Sequence, residues 1–148
     1  MPATFLPLTA ADLDRVVAMM GKLYAQGDAS FNSERARRAT EILFADPASG
    51  GVWTIEVDGS PAGYLVFTFG YSLEFGGRFG LLDELFVEEP WRSRGIGKQA
   101  VDFAARLCLA RGWRALRLEV GQKNQRAIDL YGGSGFQMHD RFLMTKWM

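Results

Sequence analysis

Residues 92–98 read Arg92-Ser93-Arg94-Gly95-Ile96-Gly97-Lys98, between an apolar run at 81–87 and a helix-like run opening near Gly95. A glycine-rich turn that opens a helix leaves backbone N–H groups without intrahelical partners. The helix dipole adds partial positive charge at the same end. Together they suit a phosphate or pyrophosphate, and Arg92, Arg94 and Lys98 add full charge around it. The segment is not Gly-x-x-x-x-Gly-Lys-Ser/Thr, which argues against a P-loop. The Rossmann fingerprint fits poorly as well. Its third glycine is replaced by Ala100, and the turn comes late in the chain instead of after the first strand. A second chemical feature lies just upstream. Asp83 and Glu84 interrupt the apolar run, which is unusual for a central strand. Strand alternation places the two on opposite faces.

These groups need elements to hold them. Residues 4–8 read as a first strand, and Thr9 with Asp12 as a helix start. Leu13, Val16, Val17, Met20, Leu23 and Tyr24 recur at helical spacing up to Gly27. A second helix is expected after a Ser33 cap, ending at Asp46-Pro47. Strands are expected at 52–57 and 62–69 around an Asp58-Gly59 hairpin turn. A second turn at 75–78 leads to a strand at 79–87. A helix from Gly95 to Arg111 buries Ile96, Ala100, Phe103, Ala104, Leu107 and Cys108. A strand at 115–120, a short helix at 124–131 and two closing strands at 136–138 and 142–147 complete the order β-α-α-β-β-β-α-β-α-β-β. This predicts an α/β (α+β) mixed sheet with helices on both faces and a parallel right-handed crossover in the middle.

At 148 residues the chain fits one domain, 1–148. Folding at that size buries roughly 68–70% of the unfolded surface, so no covalent staple is required. The formal net charge of zero gives no general attraction for nucleic acid or membrane. The arginines at 35, 37, 38, 92 and 94 lack the aromatic interleaving of a nucleic-acid surface. Cys108 is the only cysteine, which excludes an internal disulfide and suits a reducing, cytoplasmic setting. It is expected as a buried structural thiol. His139 has no partner at ligand spacing, so no metal is expected. The sequence shows neither a membrane-length apolar run nor a signal-peptide pattern.

Arg92-x-x-Gly95-x-Gly97 after Leu85-Phe86-Val87 resembles the acetyl-CoA motif of the GNAT superfamily of N-acetyltransferases. Asn124-Gln125-Arg126-Ala127-Ile128-Asp129-Leu130-Tyr131, followed by Gly135-Phe136, resembles that family's second motif, in the family's order. Residues 82–87 and 124–131 are most similar to the diamine (spermidine/spermine, thialysine) acetyltransferase branch. One departure is Gly132-Gly133, which weakens the helix end by roughly 1 kcal/mol per glycine. The resemblance implies a GNAT-like acyl-CoA N-acyltransferase fold and acetyl-CoA as cosubstrate, without metal. It implies transfer to a primary amine in a ternary complex, the acceptor being a small polyamine, an amino-acid-like amine or a protein amine.

Such a transfer needs a base to deprotonate the ammonium, a donor for the developing oxyanion, and a proton for the leaving thiolate. The resemblance assigns the first to a carboxylate of this strand, with Glu84 the first candidate and Asp83 the second. It assigns the oxyanion to a backbone N–H of Phe86 or Val87, and the thiolate's proton to Tyr131. Phenol and thiol reference pKa values of about 10 and 8.5 keep a tyrosine protonated and able to donate. Leu85, Phe86 and Val87 would hold pantetheine. Asn124 caps the short helix and, by the resemblance, also contacts pantetheine, with Ala127 beside it. Arg126 is either a CoA phosphate ligand or a solvated helix residue, and Trp91 either packs on the cofactor or does not. Asp28, Glu34 and Asp83 are candidate acids for a cationic acceptor. The family's habit of pairing raises a homodimer. A non-catalytic acyl-CoA-binding module on the same fold is the alternative function.

Overall fold

The structure is a computed structural model and describes residues 1–27 and 29–148. Asp28, one of the acids named above, lies outside the described residues.

The chain begins with β1 (Thr4–Pro7). The Thr9 backbone N–H and hydroxyl both donate to the Asp12 carboxylate, at 3.0 and 2.7 Å, and set up a short 3-10 turn. From it runs α1 (Leu13–Gln26), burying Val16, Val17, Met19 and Met20. Helix α2 (Ser33–Ala45) is capped one residue earlier than expected. Asn32, not Ser33, accepts the Arg35 N–H at 2.9 Å, because the amide oxygen reaches the N3 donor from that position. Next come β2 (Gly50–Val57) and β3 (Ser60–Ser72), joined by Asp58 and Gly59 at φ 50° and 73°. Positive φ at both central positions is what a two-residue type I′ hairpin requires.

Strand β4 (Gly77–Val87) pairs antiparallel with β3, and the sheet order is β1-β2-β3-β4-β5. Helix α3 (Ile96–Ala110) crosses over to β5 (Leu116–Arg117), parallel to β4. Helix α4 (Gln125–Gly133) follows, running through both glycines that threatened its end. Two apolar clusters sandwich the sheet. One joins Leu82, Leu65 and Phe67 to Ile96, Ala100, Val101, Ala104 and Cys108 of α3. The other joins Tyr64, Val66 and Phe86 to Val16, Met19 and Met20 of α1. Cys108 is buried as expected, and burial pushes its thiol pKa up.

The last two expected strands do not form. From Gln137 onward the tail lies exposed, with Phe142 and Trp147 about nine-tenths accessible. A strand needs a facing ladder, and β5 spans only two residues instead of the expected six. An exposed ion pair from Arg141 to Glu74, at 3.1 Å, lies between the tail and the β3–β4 turn.

Gly63 on β3 faces Val87. A Cβ there would lie 2.1 Å from the Phe86 carbonyl oxygen, which is backbone and cannot swing aside. Gly63→Ala is therefore expected to destabilise the fold by about 1–3 kcal/mol, as other overpacked sites do. A lowered urea midpoint would register it, and an unchanged midpoint would refute the close strand approach.

Candidate functional site

Two irregularities of β4 build the site. The first is a bulge. Phe67 pairs with Leu82 and Val66 with Glu84, so Asp83 is left without a partner. An extra residue re-aims the side chains around it. Asp83 and Glu84 therefore line the same cavity, on the α1–α2 side of the sheet, and not opposite faces. Strict alternation failed here because register, not residue type, decides the face.

The second irregularity is a splay. Strand β5 pairs with β4 only at Gly80 and Leu81. Beyond that point β4 has an open edge. The Glu88 N–H donates to Ala62 O on β3 at 2.8 Å, whereas Val87 O accepts from Arg92 Nε at 2.8 Å on the other side. Peptide groups alternate along a strand. Those of Leu85 and Val87 thus face the open edge, and that of Phe86 faces β3.

A cavity of about 300 Å³ fills the splay. Leu85, Phe86 and Val87 form one wall, and Arg92, Ser93, Gly95, Ile96, Gly97 and Lys98 the end nearest α3. Asn124, Arg126, Ala127 and Tyr131 close it from α4. Trp91 lines it too, as do Gln26 and Leu130, which sequence reasoning did not select. Leu130 had a signal: it shares a helical face with Ala127 and Tyr131. Gln26 had none, because only the packing of α1 on the sheet brings it there. Arg94 is absent from the lining; its guanidinium sits over the Trp91 ring, 5.5 Å from the centroid.

The end of the cavity at α3 suits an anion. Gly95 caps α3 at φ 78°, and Ser93 sits at φ 61°. The first N–H to bond back into the helix is Gln99, to Gly95 O at 3.2 Å. The donors of Ile96, Gly97 and Lys98 therefore have no intrahelical acceptor. Arg126 Nη2 donates to Ser93 Oγ at 2.9 Å and fastens α4 to this turn. Asn124 caps α4 by accepting the Ala127 N–H at 3.2 Å.

The carboxylates sit in unlike surroundings. Glu84 accepts from Tyr24 Oη at 2.7 Å and from Tyr64 Oη at 2.8 Å, one on each oxygen. Burial raises its pKa, Asp83 adds to the rise, and the two phenols oppose it. Burial, with the adjoining Glu84 charge, also keeps both phenols protonated well above the ordinary tyrosine value. The Asp83 carboxylate accepts no hydrogen bond among the described residues. It is accessible to solvent, yet protein surrounds it on most sides, and that burial pushes its carboxyl up. Tyr131 packs edge-on against Phe136, and burial raises its phenol pKa. Among the described residues, no helix is long and apolar enough to cross a membrane.

Known proteins resemble this chain in sequence and fold. The family model described as acetyltransferase (GNAT) family matches residues 17–136. The thialysine N-epsilon-acetyltransferase of Bos taurus is 37% identical over 75 residues, covering 51% of this chain and 44% of the relative. An uncharacterized N-acetyltransferase of Methanocaldococcus jannaschii is 28% identical over 148 residues, covering 98% of this chain and 64% of the relative. The chain thus spans from under half to just under two thirds of the length of these curated relatives. A solved structure from Clostridium acetobutylicum, described as a predicted acetyltransferase with acetyl-CoA, superposes with a TM-score of 0.81 at 16% identity. That match covers 98% of this chain and 96% of the other, and it bears on fold alone.

Proposed function

The chain belongs to the acetyltransferase (GNAT) family, and from that premise we propose that residues 1–148 act as one domain transferring the acetyl group of acetyl-CoA to a primary amine. The observation that carries this is the open β4 edge, whose residues Leu85–Val87 line one cavity with the α3 N-terminus, next along the strand from the carboxylates in the adjoining cavity. The free N–H groups of Ile96, Gly97 and Lys98 take the pyrophosphate, with the helix dipole behind them. Arg126 and Lys98 add charge at its rim. The turned-out peptide groups of Leu85 and Val87 hold pantetheine as an added strand would be held, and Asn124, Ala127 and Leu130 enclose it.

The amine arrives as an ammonium. Asp83 is the better proton acceptor, since both Glu84 oxygens are already engaged by phenols. Glu84 instead keeps a fixed negative charge beside the incoming cation. Once Asp83 has taken the proton, the amine lone pair forms a bond to the thioester carbonyl carbon. The carbonyl oxygen becomes an oxyanion and accepts from the Val87 N–H, the open-edge member of the expected pair. Collapse breaks the carbon–sulfur bond, the thiolate takes the Tyr131 proton, and the surplus proton on the new amide nitrogen leaves through solvent, which reprotonates the Tyr131 phenolate.

A thiol-release assay with acetyl-CoA against a panel of primary amines tests this. Amine-dependent release with formation of the N-acetyl product is expected. Tight CoA binding without transfer to any amine would replace the reading by a non-catalytic module. Arg126→Ala is expected to raise the acetyl-CoA KM roughly tenfold by removing a charge-assisted contact, with kcat little changed. An unchanged KM would return Arg126 to the solvated helix surface.

A further inference from the structure

The second cavity, of about 170 Å³, lies between α1, α2 and the sheet and has the carboxylates on its wall. It adjoins the first. Tyr24 lines one and Gln26 the other, two residues apart on α1, and Glu84 and Leu85 are consecutive on β4. An amine lying here has its nitrogen at Asp83, beside the open edge.

The wall chemistry restricts what such an amine carries. Among the described residues the only acids lining the cavity are Asp83 and Glu84, and the phenols occupy both Glu84 oxygens. One carboxylate is thus left to receive one ammonium. The remaining surface is mostly hydrocarbon, from Ala36, Ala39 and Leu43 of α2 and from Val52 and Val66 of the sheet. Thr40 offers no free donor, because its hydroxyl donates to Ala36 O at 2.7 Å. A second ammonium inside would be desolvated without a partner, which is strongly disfavoured.

Resting on the transferase reading above, we infer that the preferred acceptor is a small monoamine with an apolar stem, and that Ala36 and Ala39 of α2 set the stem's length. The cavity volume equals roughly six waters at about 30 Å³ each, which allows a stem of about four to six non-hydrogen atoms. Polyamines, aminoglycosides and lysine side chains in peptides do not suit these walls.

The test compares initial rates for ethylamine, butylamine, pentylamine, hexylamine and octylamine with those for putrescine, spermidine and lysine, all with acetyl-CoA. Expected is a rise in kcat/KM of about fourfold per methylene, the value of burying one such group, up to the filled length and a fall beyond it. Butylamine should exceed putrescine, its diamine counterpart, by tenfold or more. Ala39→Leu, on the accessible side of α2, should lower kcat/KM by a factor that grows from ethylamine to pentylamine, at constant acetyl-CoA KM. Ala39→Val should show a smaller effect in the same order. A preference for putrescine, spermidine or lysine would overturn the inference and leave the transferase reading standing. So would a loss in both Ala39 variants that is independent of stem length. Absence of transfer to every amine, with acetyl-CoA still binding by calorimetry, would overturn both.

Discussion

Tyr131→Phe is expected to lower kcat by roughly 10²–10⁴-fold, the range for losing a positioned general acid, while the acetyl-CoA KM stays within a few-fold. The substitution removes one oxygen and keeps the ring. The edge-on packing against Phe136 therefore survives, and α4 has no reason to move. Burial raises the Tyr131 pKa, so the phenol holds its proton at neutral and mildly alkaline pH and gives it up only to a strong acceptor. The thiolate developing as the carbon–sulfur bond breaks beside it is the acceptor the reaction supplies. The measurement is steady-state kinetics at saturating amine, with CoA affinity measured separately by calorimetry. A variant with wild-type kcat would remove Tyr131 from the chemistry. A variant that lost CoA affinity in proportion to rate would make it a binding residue only.

Asp83→Asn should have an effect of similar size on kcat, roughly 10²–10⁴-fold, and two pH signatures besides. Burial raises the Asp83 pKa, so the acidic limb of the wild-type kcat/KM profile should lie above the ordinary carboxylate range and vanish in the variant. The stability signature follows from the same shift. A carboxyl whose folded-state pKa is raised contributes its stability below its unfolded value, about 3.9. It loses that contribution as pH rises through the folded value. At neutral pH the charged Asp83 is thus a modest burden, discounted by its access to solvent. Asp83→Asn should melt at or slightly above the wild-type temperature at pH 7, with the gap closing on acidification. A variant that loses both activity and melting temperature at pH 7 would mark Asp83 as structural. Glu84→Gln separates the two carboxylates. If it abolishes turnover and Asp83→Asn does not, Glu84 is the base and its phenol contacts tune it.

The relation between sequence and site is uneven. The α3 opening was legible because Gly95, Gly97 and the flanking basic residues obey local rules: a positive-φ cap, free N–H donors and nearby charge. Asn124 was legible for the same reason, since a cap acts on a donor three residues away. Tyr131 was legible only through the spacing it shares with a known family, because a buried tyrosine on a helix face has no local signature. Three features were not legible. The bulge at Asp83 depends on how Val66 and Phe67 register against β4. The clamp on Glu84 joins Tyr24 from α1 and Tyr64 from β3, 60 and 20 residues away in the chain. The unpaired tail depends on how little edge β5 offers.

By itself, the sequence determined the α/β order through Val87 and α3, the anion-binding turn, the caps and the supply of candidate acids and bases, all of which rest on interactions within a few residues. The tertiary structure alone decided that Asp83 and Glu84 share a cavity, that Glu84 is held by two phenols while the Asp83 carboxylate has no partner among the described residues, and that the β4 edge lies open beside Tyr131. Each of these is a matter of register or of packing between distant elements, and a one-residue shift in pairing reverses the face a side chain occupies.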